Sequence, residues 1–179
     1  MIFDRDIRHR VAVPTPTLPR PTVGAVAVNR ARWGDLAAVS RLQRRAFRPA
    51  LAYGFGTLIV LRALPNVRFL VARRGGAVIG CAIGDRHDGQ TRVINVAVDP
   101  DARRRGVATA LLRALERELP RGDLLLMVEV ENLGAQALYR AEGYLPVGSA
   151  ADYYGRGRGG IWMQKGRDGA DDAPPKLRV

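Results

Sequence analysis

The sequence predicts an α/β fold built around a mixed β-sheet, and three observations lead to this fold class. A chain of 179 residues, of which 47 % are apolar, favours one domain with a globular core. Short β-prone runs alternate with segments whose apolar residues recur at helical spacing. One strand also runs directly into a strongly amphipathic helix. The predicted order of elements is β-α-α-β-β-β-α-β-α-β-β.

Two segments flank the predicted domain, which spans residues 23–165. Residues 1–22 contain Pro14, Pro16, Pro19 and Pro21 among residues of both charges, and this opposes regular helix or strand. We therefore expect a flexible proline-rich leader over residues 1–22 and a flexible tail over residues 166–179.

The first half of the domain reads as two helices and three strands separated by turn residues. These are a strand over Val23–Val28, helices over Trp33–Phe47 and Gly56–Leu64, and strands over Val67–Ala72 and Ala77–Asp85. The last two strands flank the turn sequence Arg73-Arg74-Gly75-Gly76, so we expect them to pair as an antiparallel hairpin.

The second half contains the clearest helix of the sequence. Its apolar residues Val107, Ala110, Leu111, Ala114 and Leu115 follow helical spacing, and it ends near Pro120. The other predicted elements are strands over Thr91–Asp99 and Asp123–Val130, a helix over Asn132–Glu142 with Asn132 as N-cap and Gly143 as C-cap, and strands over Tyr144–Val147 and Ile161–Lys165.

The formal charge of +12 indicates an anionic partner: nucleic acid, an acidic membrane surface or a phosphate-bearing small molecule. Cys81 is the single cysteine and the only histidines are His9 and His87, so we expect no metal site. The sequence has neither an apolar run of ~18 residues nor a secretory signal, so we expect no membrane span and a cytoplasmic location.

The loop between the strand Thr91–Asp99 and the clearest helix is suited to binding a phosphate. The first N–H groups of a helix lack intrahelical partners and lie at the positive end of its dipole, so a bound anion gains hydrogen bonds there. Gly106 and Ala108 leave space for the phosphate, and the arginines 103–105 supply countercharge. Solvated surface charge is the alternative explanation for these arginines.

Two motifs in this region resemble those of a known family. Arg103-x-x-Gly106-x-Ala108 resembles the cofactor motif of the GNAT superfamily of acetyl-CoA-dependent N-acetyltransferases. A second motif of that family follows in the right order, as Asn132, Ala135, Leu138, Tyr139, Gly143 and Tyr144. The resemblance covers about residues 23–165 and is closest to the ribosomal-protein N-terminal alanine acetyltransferases.

The resemblance implies the GNAT fold: a mixed, mostly antiparallel sheet flanked by helices, in which the neighbouring parallel strands Thr91–Asp99 and Asp123–Val130 splay apart. Acetyl-CoA would enter this gap as co-substrate. The residues implied to bind it are Val96, Ala97 and Val98 at the pantetheine arm, Arg103, Arg104, Arg105, Gly106, Val107, Ala108 and Thr109 around the diphosphate, and Asn132, Ala135 and Leu138 on the following helix. For Asn132, helix capping alone is the alternative.

The reaction implied is direct attack of a neutral primary amine on the thioester. The backbone amide of Val98 would polarise the carbonyl and Tyr139 would protonate the leaving sulfur, although Tyr139 also suits a half-buried core position. The family subgroup has a glutamate where this chain has Met127. Glu129 lies on the same face of the strand and is the substitute candidate for the general base, followed by Glu131 or a chain of waters.

The acceptor is expected to be a peptide or protein N-terminal amine, bound by Asn95, Met127, Tyr153 and Tyr154. Tyr153-Tyr154 resembles the acceptor-binding pair of N-terminal acetyltransferases. A small-molecule amine such as a polyamine or aminoglycoside is the alternative, and the chain would act as a monomer or homodimer. A basic nucleic-acid-binding module is disfavoured because the arginines are scattered, with Arg41, Arg44, Arg45 and Arg48 expected on the outer side of a helix.

Overall fold

A computed structural model describes residues 26–167 of the chain. The predicted leader, the first residues of the predicted strand Val23–Val28 and most of the predicted tail lie outside these described residues. No helix within residues 26–167 is both long enough and apolar enough to cross a membrane.

The described residues form a seven-stranded sheet with helices on both faces. The elements are β1 (Ala27–Arg30), α1 (Leu36–Ala46), α2 (Phe55–Ala63), β2 (Val67–Arg74), β3 (Ala77–His87), β4 (Gln90–Val98), α3 (Val107–Glu118), β5 (Leu124–Glu129), α4 (Leu133–Ala141), β6 (Leu145–Ala150) and β7 (Gly160–Lys165). Short 3₁₀ turns at Trp33–Asp35 and Pro100–Ala102 precede α1 and α3. The predicted order and the mixed α/β class are confirmed.

The strand order is β1-β2-β3-β4-β5-β7-β6, and only β4 and β5 pair in parallel. Their register runs from Thr91 opposite Leu124 to Val93 opposite Leu126 and then stops. The register of β3 against β4 shifts at this point, because Ile94 is an extra residue on β4. Such a bulge bends the strand that carries it, so β4 diverges from β5 beyond Val93. The predicted splayed pair is present.

The helices cover two separate apolar cores. One lies under α3 and α4 and includes Leu111, Leu115 and Tyr144, and the other lies under α1 and α2. Glycine allows α3 to lie close to the sheet, because a Cβ at Gly80 would lie 2.8 Å from a Leu111 methyl carbon. Cys81 is buried, as its position in a predicted strand indicates.

Two predicted boundaries differ from the structure by one or two residues, and in both cases contacts with distant residues are the reason. β1 ends at Arg30 rather than Val28, since Ala27 to Arg30 pair with Arg73 to Leu70 of β2. Tyr144 does not open β6. Its side chain is fully buried and its phenol donates a hydrogen bond of 2.9 Å to Glu116 on α3.

Candidate active site

A cavity of about 520 Å³ lies at the end of β4, where β4 and β5 no longer pair. The end of α1, the loop before α3 and the first turns of α3 and α4 form its other walls. The lining residues are Ala46, Phe47, Val96, Ala97, Val98, Ala102, Arg103, Arg104, Gly106, Val107, Ala108, Thr109, Asn132, Gly134, Ala135, Leu138 and Tyr139. The structure thus brings together every residue predicted to bind acetyl-CoA except Arg105, which is exposed outside the lining.

The loop before α3 has the shape of an anion cradle. Gly106 is the N-cap residue with φ of 75°, a left-handed conformation that favours glycine, and Arg104 is also left-handed with φ of 57°. The first backbone bond of the helix runs from the Ala110 N–H to the Gly106 carbonyl at 2.9 Å. The N–H groups of residues 107–109 therefore have no partner within α3, which suits the diphosphate of acetyl-CoA.

The free edge of β4 presents backbone groups to the cavity. Asp99 donates its N–H to the Ile79 carbonyl of β3 at 2.9 Å, so alternate residues of β4 point away from β3. Those residues are Val96 and Val98. The Val98 carbonyl already accepts a hydrogen bond from Arg103 Nε at 3.3 Å, which leaves the Val98 N–H as the donor for a substrate carbonyl.

Two arginines connect the end of α1 to the loop before α3 through hydrogen bonds. Arg103, predicted as countercharge, also donates through Nη2 to the Ala46 carbonyl at 3.2 Å. Arg45 is exposed on the outer side of α1, as predicted, and it contacts Asp99 Oδ2 at 2.7 Å and Asp101 Oδ2 at 2.8 Å. These contacts explain why Ala46 lines the cavity although no motif in the sequence marks it.

Asn132 caps α4, since its Oδ1 accepts a hydrogen bond from the Ala135 N–H at 3.1 Å. The same residue lines the cavity, so capping and contact with a ligand are compatible. Gly134, Phe47 and Ala102 line the cavity as well and carry no chemical signal by which the sequence could identify them.

Tyr139 lies on α4 with its side chain against the cavity and only 8 % exposed. Its ring packs edge-on against Tyr144, with centroids 5.7 Å apart. Burial raises the pKa of the Tyr139 phenol to about 12, and no hydrogen bond from residues 26–167 contributes to that shift. The phenol is therefore protonated at neutral pH, and its O–H can donate to a ligand. The structure thus places Tyr139 both in the core and at the cavity.

Glu129 is held in an ion pair. Its Oε1 accepts a hydrogen bond from Arg158 Nε at 2.7 Å, and its side chain is 14 % exposed. The hydrogen bond from Arg158 lowers the pKa of Glu129, with a further contribution from the charge of Arg48. An effective general base has a pKa near the working pH, so this ion pair opposes the predicted role of Glu129. Glu131, the next candidate, is exposed.

Tyrosines gather on the side of the site opposite the phosphate loop. Tyr154 donates its O–H to the Met127 carbonyl at 3.0 Å, and Tyr153 packs edge-on against Tyr154 with centroids 5.0 Å apart. Burial raises the pKa of Tyr154, and the nearby phenols of Tyr153, Tyr139 and Tyr53 add to the increase. The predicted acceptor residues Tyr153 and Tyr154 therefore lie near Tyr139, together with Tyr53, which the sequence does not single out.

Asn95 was predicted to contact the acceptor, and in the structure its side chain is bonded to α1. Its side chain is 9 % exposed, and its Oδ1 accepts a hydrogen bond from Gln43 Nε2 of α1 at 2.8 Å. The bulge at Ile94 turns Asn95 toward α1, where it joins that helix to β4. Met127 lies beside Tyr154, and its side chain occupies the space that a Cβ at Gly160 would need.

No group of three or more His, Cys, Asp or Glu side chains that could hold a metal ion occurs within the described residues 26–167. Two carboxylates, those of Glu129 and Asp85, are engaged in pairs with arginines. These include Arg92 with Asp85, joined by two hydrogen bonds of 2.9 and 2.6 Å.

Comparison with known proteins agrees with this geometry. The chain is 32 % identical over 144 residues to an uncharacterized N-acetyltransferase of Methanocaldococcus jannaschii, and the match covers 76 % of this chain and 88 % of the relative. N-alpha-acetyltransferase RimI of Mycobacterium tuberculosis is 34 % identical over 96 residues, which covers 51 % of this chain and 61 % of the relative.

Solved structures show the same fold. The ribosomal-protein-S18-alanine N-acetyltransferase of Escherichia coli superposes with a TM-score of 0.70 at 24 % identity, covering 87 % of this chain and 100 % of that one. The yncA putative acetyltransferase of Salmonella typhimurium, solved with its cofactor acetyl-CoA, gives a TM-score of 0.70 at 19 % identity, covering 86 % of this chain and 100 % of that one. The model of the Acetyltransferase (GNAT) family matches residues 36–144. The chain belongs to this family of acetyl-CoA-dependent N-acetyltransferases.

Proposed function

We propose that this acetyltransferase transfers the acetyl group of acetyl-CoA to the α-amino group of a peptide or protein N-terminus. The donor half of the proposal is supported by the cavity, in which unpaired helix N–H groups, the open edge of β4 and Tyr139 line one space. The acceptor half depends on the residues on the opposite side of the site.

The observation that carries the acceptor assignment is that two carboxylates, those of Glu129 and Asp85, are each paired with an arginine. Glu129 is bonded to Arg158, and Asp85 is bonded through both oxygens to Arg92. A polyamine or an aminoglycoside carries several positive charges and needs unpaired carboxylates to hold them. A peptide N-terminus brings one amine and an uncharged backbone, which the aromatic walls of Tyr53, Tyr153 and Tyr154 suit better.

The same pairing favours an α-amine over a lysine side chain. Glu129 has a lowered pKa, and Met127 has no titratable group, so the amine has to arrive already neutral. At pH 7.5 roughly a quarter to two fifths of an α-amine is neutral, against about one part in a thousand of a lysine amine. Without a strong base in the site, this difference selects the α-amine.

The chain's own groups then stabilise the transfer. The Val98 N–H, which points away from β3, donates to the carbonyl oxygen of the thioester as negative charge develops there. The amine nitrogen forms the new bond to the carbonyl carbon and the carbon–sulfur bond breaks. Tyr139 donates its O–H to the leaving sulfur, and solvent takes the proton lost by the amine.

Two similar proteins support an N-terminal acceptor. The relative from Mycobacterium tuberculosis is an N-alpha-acetyltransferase, and the structure from Escherichia coli is a ribosomal-protein-S18-alanine N-acetyltransferase.

The proposal is tested by measuring thiol release from acetyl-CoA with a panel of acceptors. The panel contains peptides with free N-termini, the same peptides with blocked N-termini, polyamines and aminoglycosides. We expect acetylation of free N-termini only. Faster release with polyamines or aminoglycosides than with any free peptide would contradict the proposal.

A further inference from the structure

Gln43, on the inward face of α1, carries a fully buried amide that joins this helix to the sheet. Its Nε2 donates to Asn95 Oδ1 at 2.8 Å, and Asn95 Nδ2 donates back to Gln43 Oε1 over a longer 3.4 Å. Nε2 also donates to Cys81 Sγ at 3.4 Å, and Oε1 accepts from the Tyr53 N–H at 3.4 Å. Four segments of the chain therefore meet at one amide: α1, β3, β4 and the residues before α2.

This amide lies behind the wall of the cavity. Gln43 and Asn95 do not line the cavity, but Ala46, within one turn of Gln43, and Val96, next to Asn95, do. Burial raises the pKa of the Cys81 thiol to about 12, so the amides and the thiol carry no charge at neutral pH. Gln43 therefore influences the cavity through the position of β4, and not through contact with a ligand or through charge.

The bulge at Ile94 decides which way Asn95 faces. Val93 belongs to the core under α3, and Ile94 packs against the core under α1. Strict alternation would turn Asn95 back to the apolar core under α3, where an amide without a partner is costly. The extra residue instead places Ile94 and Asn95 on one side, and Asn95 meets Gln43 there. The amide pair thus opposes displacement of the bulge along β4.

The position of the bulge sets the geometry of the reacting end of β4. Parallel pairing with β5 stops at Val93 opposite Leu126, directly before the bulge. Beyond the bulge, the Val98 N–H points away from β3 at the wall of the cavity. A displaced bulge would exchange the residues of β4 whose N–H groups face β3 and those whose N–H groups face the cavity.

Two bonded amides specify one arrangement of α1 on β4, whereas an apolar pair at the same positions would allow several. We propose that Gln43 is a positioning residue for acetyl transfer, which fixes the bulge of β4 through Asn95 and so holds the Val98 N–H against the thioester carbonyl. This inference rests on the role of Val98 in the proposed function. It applies to whichever amine is the acceptor.

The test uses variants that remove the hydrogen bonds and keep most of the volume. We expect Gln43→Met and Asn95→Leu each to lower kcat on the order of 10-fold with a peptide that begins with alanine, because displacing reacting groups by about 1 Å costs up to roughly 100-fold. The Kd for acetyl-CoA depends mainly on the phosphate loop and should change less than about 3-fold. The double variant should lose no more kcat than the worse single variant, since both changes break the same link.

Val39→Ala is the matched control for lost stability. Val39 lies one turn before Gln43 on the same face of α1 and is equally buried, but its side chain forms no hydrogen bond. This variant should lower the Tm and leave kcat within about 2-fold.

Unchanged kcat in both Gln43→Met and Asn95→Leu would overturn the inference. An equal loss of kcat in Val39→Ala at the same decrease in Tm would assign Gln43 a purely structural role, and losses that multiply in the double variant would show that Gln43 and Asn95 act separately; either result would overturn the inference as well. If the wild-type enzyme acetylates spermidine and no peptide, the proposed acceptor is contradicted, and the same comparison of kcat with spermidine decides the role of Gln43.

Discussion

Replacement of Tyr139 by phenylalanine isolates the hydroxyl assigned to the leaving sulfur. The ring packs against Tyr144 and phenylalanine preserves that contact. No hydrogen bond from residues 26–167 influences the phenol, so its loss leaves no described partner unsatisfied. We expect the free energy of unfolding to change by less than about 1 kcal/mol.

The kinetic effect follows from the pKa values of the two partners. Burial raises the pKa of Tyr139 to about 12, whereas a solvated thiol has a pKa of about 8.5, so full proton transfer to a solvated thiolate is unfavourable by roughly 5 kcal/mol. Tyr139 therefore acts as a hydrogen-bond donor to the developing thiolate and keeps its proton.

A hydrogen bond to a charged group contributes about 1.5–3 kcal/mol, which is roughly a 10- to 150-fold change in rate. We therefore expect Tyr139→Phe to lower kcat by this factor, measured as thiol release at saturating peptide. Acetyl-CoA affinity by calorimetry should be unchanged.

Tyr144→Phe is the matched control for this experiment. Its hydroxyl donates to Glu116 at 2.9 Å rather than to a ligand. We expect this variant to lower the Tm and to leave kcat within about 3-fold. Unchanged kcat in Tyr139→Phe, or an equal loss in both variants, would refute the reasoning.

Three further predictions concern the base, the phosphate loop and the cap. The hydrogen bond from Arg158 lowers the pKa of Glu129, so the rise of kcat/KM with pH should follow the acceptor α-amine, with an apparent pKa of about 8. The Glu129→Gln variant should keep that midpoint. If kcat/KM no longer rose with pH in this variant, Glu129 would be the general base. In Gly106→Ala the new side chain meets no neighbouring atom, so the free-energy cost comes from the backbone φ of 75°, and the Kd for acetyl-CoA should rise about 5-fold. Gly134 also lines the cavity but has no positive φ, and Gly134→Ala should change this Kd less than about 2-fold. Asn132→Ala should lower stability by about 1 kcal/mol and Asn132→Asp should restore it, as measured by thermal unfolding; a Tm unchanged in the alanine variant would argue against the cap.

The parts of the fold and site that depend on local sequence are predicted well. The order of strands and helices follows from periodicity and turn residues, and Gly106 and Asn132 act within one turn of their own helix. The predicted cofactor residues share one cavity because the two motifs lie at the starts of α3 and α4, which pack on the same face of the sheet.

The features that the sequence does not predict depend on contacts between distant segments of the chain. Arg158 and Glu129 are separated by 29 residues, and nothing near Glu129 indicates that a guanidinium will lower its pKa. The single extra residue at Ile94 both opens the gap beside β5 and turns Asn95 toward Gln43. Strand alternation alone does not reveal that extra residue, so it does not predict the contact between Asn95 and α1.

The central claim is transfer of the acetyl group from acetyl-CoA to an α-amine. One peptide with both a free N-terminus and an internal lysine tests it directly, after incubation with acetyl-CoA at pH 7.5 and fragment mass spectrometry of the product. We predict a single acetyl group on the N-terminal nitrogen, with the lysine unmodified. Acetylation of the lysine, or of both amines at similar rates, would contradict the account.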